Sequence, residues 1–244
     1  MSRIVALHGF TGSGADFDPL RPLLPAQAEL ITPDLPGHGH KVHQRRPAEY
    51  SLESHLHLIT EAVGKTEPVT LVGYSMGGRL ALHWSVAHPE RIRRLILIGA
   101  SPGLPEPAQR DERRLADADL AHFIRTQGLP AFFKYWYNQT FFASLMALPK
   151  ERLDPILIRR AENQAEALAL SLENVGTGTL PSLWHRLREL RMPIDIVTGE
   201  YDVKFTRLAH EMGTHLPKAR LSVIEQAGHA VHLEQPADLA MLLR

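Results

Sequence analysis

Apolar positions along this chain come in two rhythms, short continuous runs of Val, Ile and Leu and longer stretches where they recur at helical spacing. The runs Ile4–Leu7, Leu30–Ile31, Val69–Val72, Ile92–Ile98, Pro193–Gly199 and Arg220–Ile224 predict strands, several of them apolar without alternation, as in a sheet covered on both faces. Behind Ser51, a residue suited to an N-cap, Leu52, Leu56, Ile59 and Val63 repeat at helical spacing. Arg79–His88 reads as a second helix, stopped by Pro89, and Pro236–Leu243 as a closing one. Strand and helix alternate, so the expected fold class is α/β, a mostly parallel, doubly wound sheet.

One block breaks the alternation. From Leu104 to Leu187 no convincing strand occurs, and Pro105 and Pro107 mark where the character changes. Asp111–Arg125 carries Leu115, Leu120, Phe123 and Ile124, Pro130 opens the aromatic segment Phe132–Tyr137, and Ile156–Leu172 presents Leu157, Ala161, Leu168 and Leu172. Because strands resume afterwards, the expected division is a core of residues 1–103 and 188–244 with an inserted helical cap at 104–187.

Composition narrows the picture further. A chain of 244 residues with 44% hydrophobic content can bury a full core as one domain carrying a subdomain. Its 27 basic and 27 acidic residues cancel, so no global field recruits nucleic acid or an anionic membrane, and any preference for anions is local. The absence of cysteine excludes disulfides and thiolate catalysis and suits a cytoplasmic location. Met1–Arg3 leads straight into the first strand, too short for a signal peptide, and no apolar run approaches the ~20 residues of a membrane span. The sequon Asn138-Gln-Thr140 therefore reads as incidental. His38, His40, His43, His55 and His57 crowd one region, but no carboxylate or cysteine stands at ligand spacing, so structural or solvent-facing roles are expected rather than a metal site.

Gly73-Tyr-Ser-Met-Gly77 then stands out as G-x-S-x-G between a strand and a helix, the setting of a nucleophile elbow with Ser75 on a strained turn. The glycine-rich turn His8–Gly14 follows the first strand, and the Phe10 and Met76 N–H groups are the natural pair to face an oxyanion. Asp202 and His229 each follow a later strand, completing the chain order Ser, Asp, His. A serine hydroxyl is a poor base or nucleophile at neutral pH, so His229 would take its proton while Asp202 steadies the imidazolium; His232 is the nearest competitor for that base. Arg79 lies in the first turn of the elbow helix, where the dipole disfavours a cation by ~0.3–1 kcal/mol, a placement that suits an anion held near Ser75.

With His8-Gly-Phe10, Gly73–Arg79, Trp136-Tyr137, Phe142–Leu145, Gly176–Trp184, Gly199–Phe205 and Ala227-Gly-His229, the chain resembles the 2-succinyl-6-hydroxy-2,4-cyclohexadiene-1-carboxylate synthase family, the menaquinone-pathway branch of the α/β-hydrolase superfamily. It departs from that pattern at Lys41, where many relatives carry serine, and in a longer spacing around Pro149. The resemblance implies the α/β-hydrolase fold and elimination of pyruvate from 2-succinyl-5-enolpyruvyl-6-hydroxy-3-cyclohexene-1-carboxylate, with Ser75 as a base activated by His229 and Asp202. It also implies that Arg79, Arg113 and Arg160 pair with the three substrate carboxylates, with Arg114 and Arg159 the alternatives one position away, and that Tyr74 and Trp136 line the pocket. No cofactor and no metal are implied. The expected partner is a small tricarboxylate, and both a monomer and a weak homo-oligomer remain open. A carboxylic-ester or C–C bond hydrolase with the same triad is the competing activity, and a non-catalytic ligand receptor a further one.

Overall fold

The computed structural model describes residues 3–44, 46–65 and 67–243; positions 1, 2 and 244, the outer ends of the expected core, lie outside the described residues. Strands β1 (Arg3–Leu7), β2 (Glu29–Ile31), β3 (Val69–Tyr74), β4 (Ile92–Ile98), β5 (Ile194–Gly199) and β6 (Ala219–Ile224) form one sheet in the order β2-β1-β3-β4-β5-β6. Every neighbouring pair is parallel. The helices are α1 (Leu52–Val63), α2 (Met76–Ala87), α3 (Pro107–Tyr137), α4 (Ala143–Met146), α5 (Lys150–Ala161), α6 (Ala165–Val175), α7 (Val203–His215), α8 (Val231–Glu234) and α9 (Pro236–Leu242). Among the described residues, no helix is long and apolar enough to cross a membrane.

Alternate residues of each strand point to opposite faces, and here both faces are covered. Val5 and Leu7 join Leu71, Leu95, Leu97 and Ile196 in a core shared with α1, α2 and α7. Ile4 and Ala6 join Val72, Ile96, Ile98 and Val197 on the other face, against α8, α9 and a 3₁₀ segment at Gly14–Leu23. This is why all six residues of β3 are buried and its sequence shows no alternation. Ser51 caps α1 as its type predicts, its hydroxyl accepting from the Ser54 N–H at 3.1 Å.

After β1 the chain goes outward to β2, then returns to place β3 on the other side of β1. Strand order reverses there, and a crevice opens at the carboxyl ends of β1 and β3. Helices α3 to α6 lie between β4 and β5 in the chain, and they differ in detail from the helices expected of this block. The first is longer than Asp111–Arg125, running from Pro107 to Tyr137 through a break at Gly128, whose φ of 76° and ψ of 173° leave the helix before Pro130 resumes it. Ile156–Leu172 is two helices, because Gln164 turns extended (φ −113°, ψ 133°) and Asn163 is drawn inward to hydrogen-bond the carbonyls of Thr11 and Arg160. The buried face of α5 is consequently Leu153, Ile156 and Arg160. Leu115, expected among the apolar positions of its helix, is 66% exposed, while Asp117, Ala121 and Ile124 turn inward.

Candidate active site

The elbow is built from backbone crowding. Ser75 has φ 50° and ψ −108°, outside the regions open to a residue with a Cβ, a strain of ~1–3 kcal/mol that the surroundings must hold in place. Its N–H donates to the Ile98 carbonyl at 2.8 Å, tying the turn to β4. A Cβ on Gly77 would stand 2.2 Å from the Leu7 carbonyl oxygen, and one on Gly73 would stand 2.5 Å from the Gly78 Cα. Only glycines let the strand, the helix and the end of β1 meet this closely.

The neighbouring strand ends supply the other groups. Leu7 pairs with Gly73 across β1 and β3, so the loop after Leu7 lies beside Ser75. In that loop the Gly12 N–H donates to the Gly9 carbonyl at 3.0 Å, leaving Phe10 and Thr11 as the central residues of a tight turn. Among the described residues, neither the Phe10 N–H nor the Met76 N–H finds an acceptor within the protein. Gly199 pairs with Ile224 across β5 and β6, which brings Asp202 and His229 together from the two loops that follow.

Asp202 caps α7, one carboxylate oxygen accepting from the Phe205 N–H at 3.3 Å. Its other oxygen meets His229 Nδ1 at 2.6 Å, with both side chains almost wholly buried. A carboxylate only accepts, so Nδ1 carries the proton and Nε2 is left as a base. Rings of Phe205, Tyr74 and Phe141 surround the imidazole, their centroids 4.5, 5.2 and 5.3 Å away. Glu234 holds the backbone on both sides of His229, accepting from the Gly228 N–H at 2.8 Å and the Ala230 N–H at 3.0 Å. No hydrogen bond joins Ser75 to the imidazole; the two are neighbours on the wall of one cavity. His232, the competing base, is fully buried between Phe17 and Tyr74 and lies off that cavity. Burial lowers its pKa to about 3, so it stays neutral at ordinary pH.

The cavity holds about 340 Å³ and is walled by Phe10, Tyr74, Met76 and Trp136 as well as Ser75 and His229. Its charged lining is Arg79, Arg113, Lys204 and Asp117. Asp117 accepts from Arg113 Nε at 2.8 Å, so the wall keeps an excess of positive charge. Arg79 donates only a long 3.3 Å bond to the Val175 carbonyl, and its Nε has no partner at all. Burial, reinforced by the charge of Arg113 and opposed by Asp117, lowers the Arg79 pKa to about 10. The guanidinium is thus left poorly compensated within the protein.

Arg160 does not belong to that wall. Its guanidinium is buried in a two-pronged pair with Asp16, at 2.9 and 2.6 Å, and its Nε donates to the Tyr137 hydroxyl at 3.0 Å. Burial would raise the Asp16 pKa, but Arg160 outweighs it and holds the carboxyl at about 2. Arg159, the alternative to Arg160, also reaches Asp16, at 3.5 Å, and Arg114, the alternative to Arg113, pairs at the surface with Asp111 at 3.1 Å. The third cation on the cavity among the described residues is Lys204, two residues beyond Asp202 and inside the Gly199–Phe205 segment. Asp117 was passed over in the sequence, although its position four residues after Arg113 is the spacing of a helical ion pair. Away from the cavity, Asp34 does meet a histidine of the crowded region, His40 at 2.7 Å, while His38 and His55 are buried.

Comparison with known proteins agrees with this geometry. Residues 4–242 match the Alpha/beta hydrolase family. The 2-succinyl-6-hydroxy-2,4-cyclohexadiene-1-carboxylate synthase of Pectobacterium atrosepticum is 35% identical over 244 residues, covering 99% of this chain and 92% of its own. The enzyme of the same name from Enterobacter sp. is 34% identical, with 98% and 89% covered. Among solved structures, MenH from S. aureus superposes with a TM-score of 0.91 at 32% identity, covering 99% of this chain and 91% of that one. An esterase from Thermogutta terrifontis shares the fold, with a TM-score of 0.84 at 23% identity and coverage of 100% and 88%. The elbow, the strand-end loops and this level of identity along nearly the whole chain agree: the protein belongs to the α/β-hydrolase family and, within it, to the family of 2-succinyl-6-hydroxy-2,4-cyclohexadiene-1-carboxylate synthases.

Proposed function

We infer that the protein is a lyase that removes pyruvate from 2-succinyl-5-enolpyruvyl-6-hydroxy-3-cyclohexene-1-carboxylate to give 2-succinyl-6-hydroxy-2,4-cyclohexadiene-1-carboxylate, a step of menaquinone biosynthesis in the cytoplasm. The observation that carries this reading is one cavity with Ser75 and His229 on its wall beside Arg79, Arg113 and Lys204. A substrate with three carboxylates needs cations around the reacting carbon, and these are the three that line the cavity.

Ser75, its proton drawn off by His229, takes the ring proton next to the succinyl carbonyl. Negative charge moves onto that carbonyl oxygen, where the unpaired Phe10 and Met76 N–H groups stabilise it. The electron pair then forms a C2–C3 double bond, the existing C3–C4 double bond shifts to C4–C5, and the C5–O bond breaks to expel the enolpyruvyl oxygen. The proton taken from the ring ends on the departing enolpyruvate, which becomes pyruvate, and Ser75 and His229 return to their starting states. No acyl-enzyme forms. Asp202 keeps Nδ1 protonated and offsets the imidazolium charge while His229 holds the extra proton. Tyr74 and Trp136 close the cavity around the ring.

Purified protein given the succinyl-enolpyruvyl substrate should release one pyruvate per diene formed, and Ser75→Ala should lose most of that rate. Arg113→Gln and Lys204→Gln should raise KM for this substrate, since each removes a charge-assisted contact. Ready cleavage of a short acyl ester with no pyruvate release would establish the hydrolase instead.

A further inference from the structure

The buried pair of Arg160 and Asp16 raises a question that substrate binding does not answer: why the cap sends a fully paired arginine into the core. The groups around it give the reason. Arg160 can only donate, so the Tyr137 oxygen accepts from its Nε at 3.0 Å and the phenol proton is free for the Thr11 hydroxyl, 2.9 Å away. Asn163, two residues past the end of the same helix, donates to the Thr11 carbonyl at 3.0 Å. Asp16 closes the ring from below, accepting the Ser13 N–H at 3.4 Å. All of these side chains except Asp16 and Thr11 come from the cap helices α3 and α5 or from the residues just after α5.

Thr11 is the residue under load. Its φ is 67°, a left-handed conformation that a β-branched residue adopts only when its surroundings impose it. It occupies the third position of the turn from Gly9 to Gly12, where φ must be positive and glycine is the usual occupant. The residue before it is Phe10, which lines the cavity and whose N–H has no acceptor within the protein. Released from its anchors, Thr11 relaxes toward negative φ, and the turn that aims the Phe10 N–H changes shape.

We propose that Tyr137, Arg160 and Asn163 form a clamp from the cap onto Thr11, so that Arg160 is a positioning residue for the oxyanion donor at Phe10 and not a substrate anchor. The proposal rests on the reading of the Phe10 N–H as a donor to the developing oxyanion. It predicts that the clamp governs turnover and leaves substrate affinity alone. Geometry in an oxyanion site is sensitive: complete loss of one donor costs about 10²–10³ in kcat, and a displaced donor a fraction of that.

Arg160→Ala would strand Asp16 in the core and mix misfolding with mispositioning, so the link between them is the better target. Tyr137→Phe and Thr11→Val each remove one hydroxyl and keep the shape, and Thr11→Val keeps the β-branch and its backbone preference. Each should lower kcat for pyruvate release about tenfold at unchanged KM; Thr11→Val should keep a melting temperature close to that of the unaltered protein, whereas Tyr137→Phe, which also leaves the buried Arg160 Nε without an acceptor, should lower it. The double variant should be no slower than Tyr137→Phe alone, because that variant already breaks the link that Thr11→Val removes. Thr11→Ser should restore turnover relative to Thr11→Val. A rise in KM at constant kcat, unchanged turnover, or losses that multiply in the double variant would overturn the clamp. Lack of pyruvate release by the unaltered protein would instead count against the lyase. The same four variants would then be read on a short acyl ester, whose tetrahedral oxyanion needs the same N–H group and should show the same pattern.

Discussion

Arg79→Met should make the protein more stable and less active. In the folded state the Arg79 pKa falls from its ordinary value to about 10 because burial and the nearby Arg113 disfavour the cation. Both states are protonated at neutral pH, so this lowering is a destabilisation of the native form, at ~1.4 kcal/mol per unit a gross cost of roughly 3 kcal/mol. The guanidinium retains partial exposure to the cavity, and its one weak bond to Val175 is lost on substitution, which together trim the net gain to ~1–2 kcal/mol. Methionine fills a similar length of apolar space without a charge. For a domain of this size the melting temperature should therefore rise by roughly 2–8 °C. Binding moves the other way: a lost charge-assisted contact to a carboxylate is worth ~1.5–3 kcal/mol, or roughly 10- to 150-fold in kcat/KM. Thermal unfolding of the ligand-free protein and a coupled assay for pyruvate measure the two effects. A melting temperature that falls with activity would refute the reasoning, because Arg79 would then be a structural cation.

Two further perturbations test other parts of the molecule. Gly77→Ala places a methyl group 2.2 Å from the Leu7 carbonyl oxygen, a contact with backbone that no rotamer relieves, and should lower both soluble yield and melting temperature; a variant as stable as the parent would show that the elbow can open. Acid should destabilise the fold early. Burial lowers the pKa values of His55 and His83 to about 4 and of His232 to about 3, so between roughly pH 6.5 and these values the unfolded chain binds protons that the folded one refuses. Stability is complete above about pH 6.5 and falls as pH drops toward 4, with Asp16 adding its loss between about pH 4 and pH 2, and melting temperatures unchanged from pH 7 to pH 4 would contradict this.

Much of this architecture was legible in the sequence because it depends on local rules. Strand runs, the N-cap at Ser51 and the elbow glycines each answer to the backbone of a few neighbouring residues, and the strands and the elbow fall where those residues placed them. Asp202 and His229 were legible for a related reason: each follows a strand, and a parallel sheet brings the carboxyl ends of its strands to one edge. The cap was harder. The split at Gln164 and the exposure of Leu115 depend on what α3, α5 and α6 find opposite them, which helical spacing does not encode.

The arginines mark the boundary most clearly. Sequence alone determined that the chain carries cations near the elbow and in the cap, and resemblance selected three of them. Tertiary structure decided which charges face the cavity, and it did so through their partners. Arg79 is left without an adequate counter-charge and Arg113 shares one at the wall, while Arg160 meets Asp16, a residue far away in sequence, and is spent inside the protein. A guanidinium binds whichever carboxylate the fold brings first. Long-range pairing therefore holds Arg160 against Asp16, away from the cavity wall on which Lys204 stands.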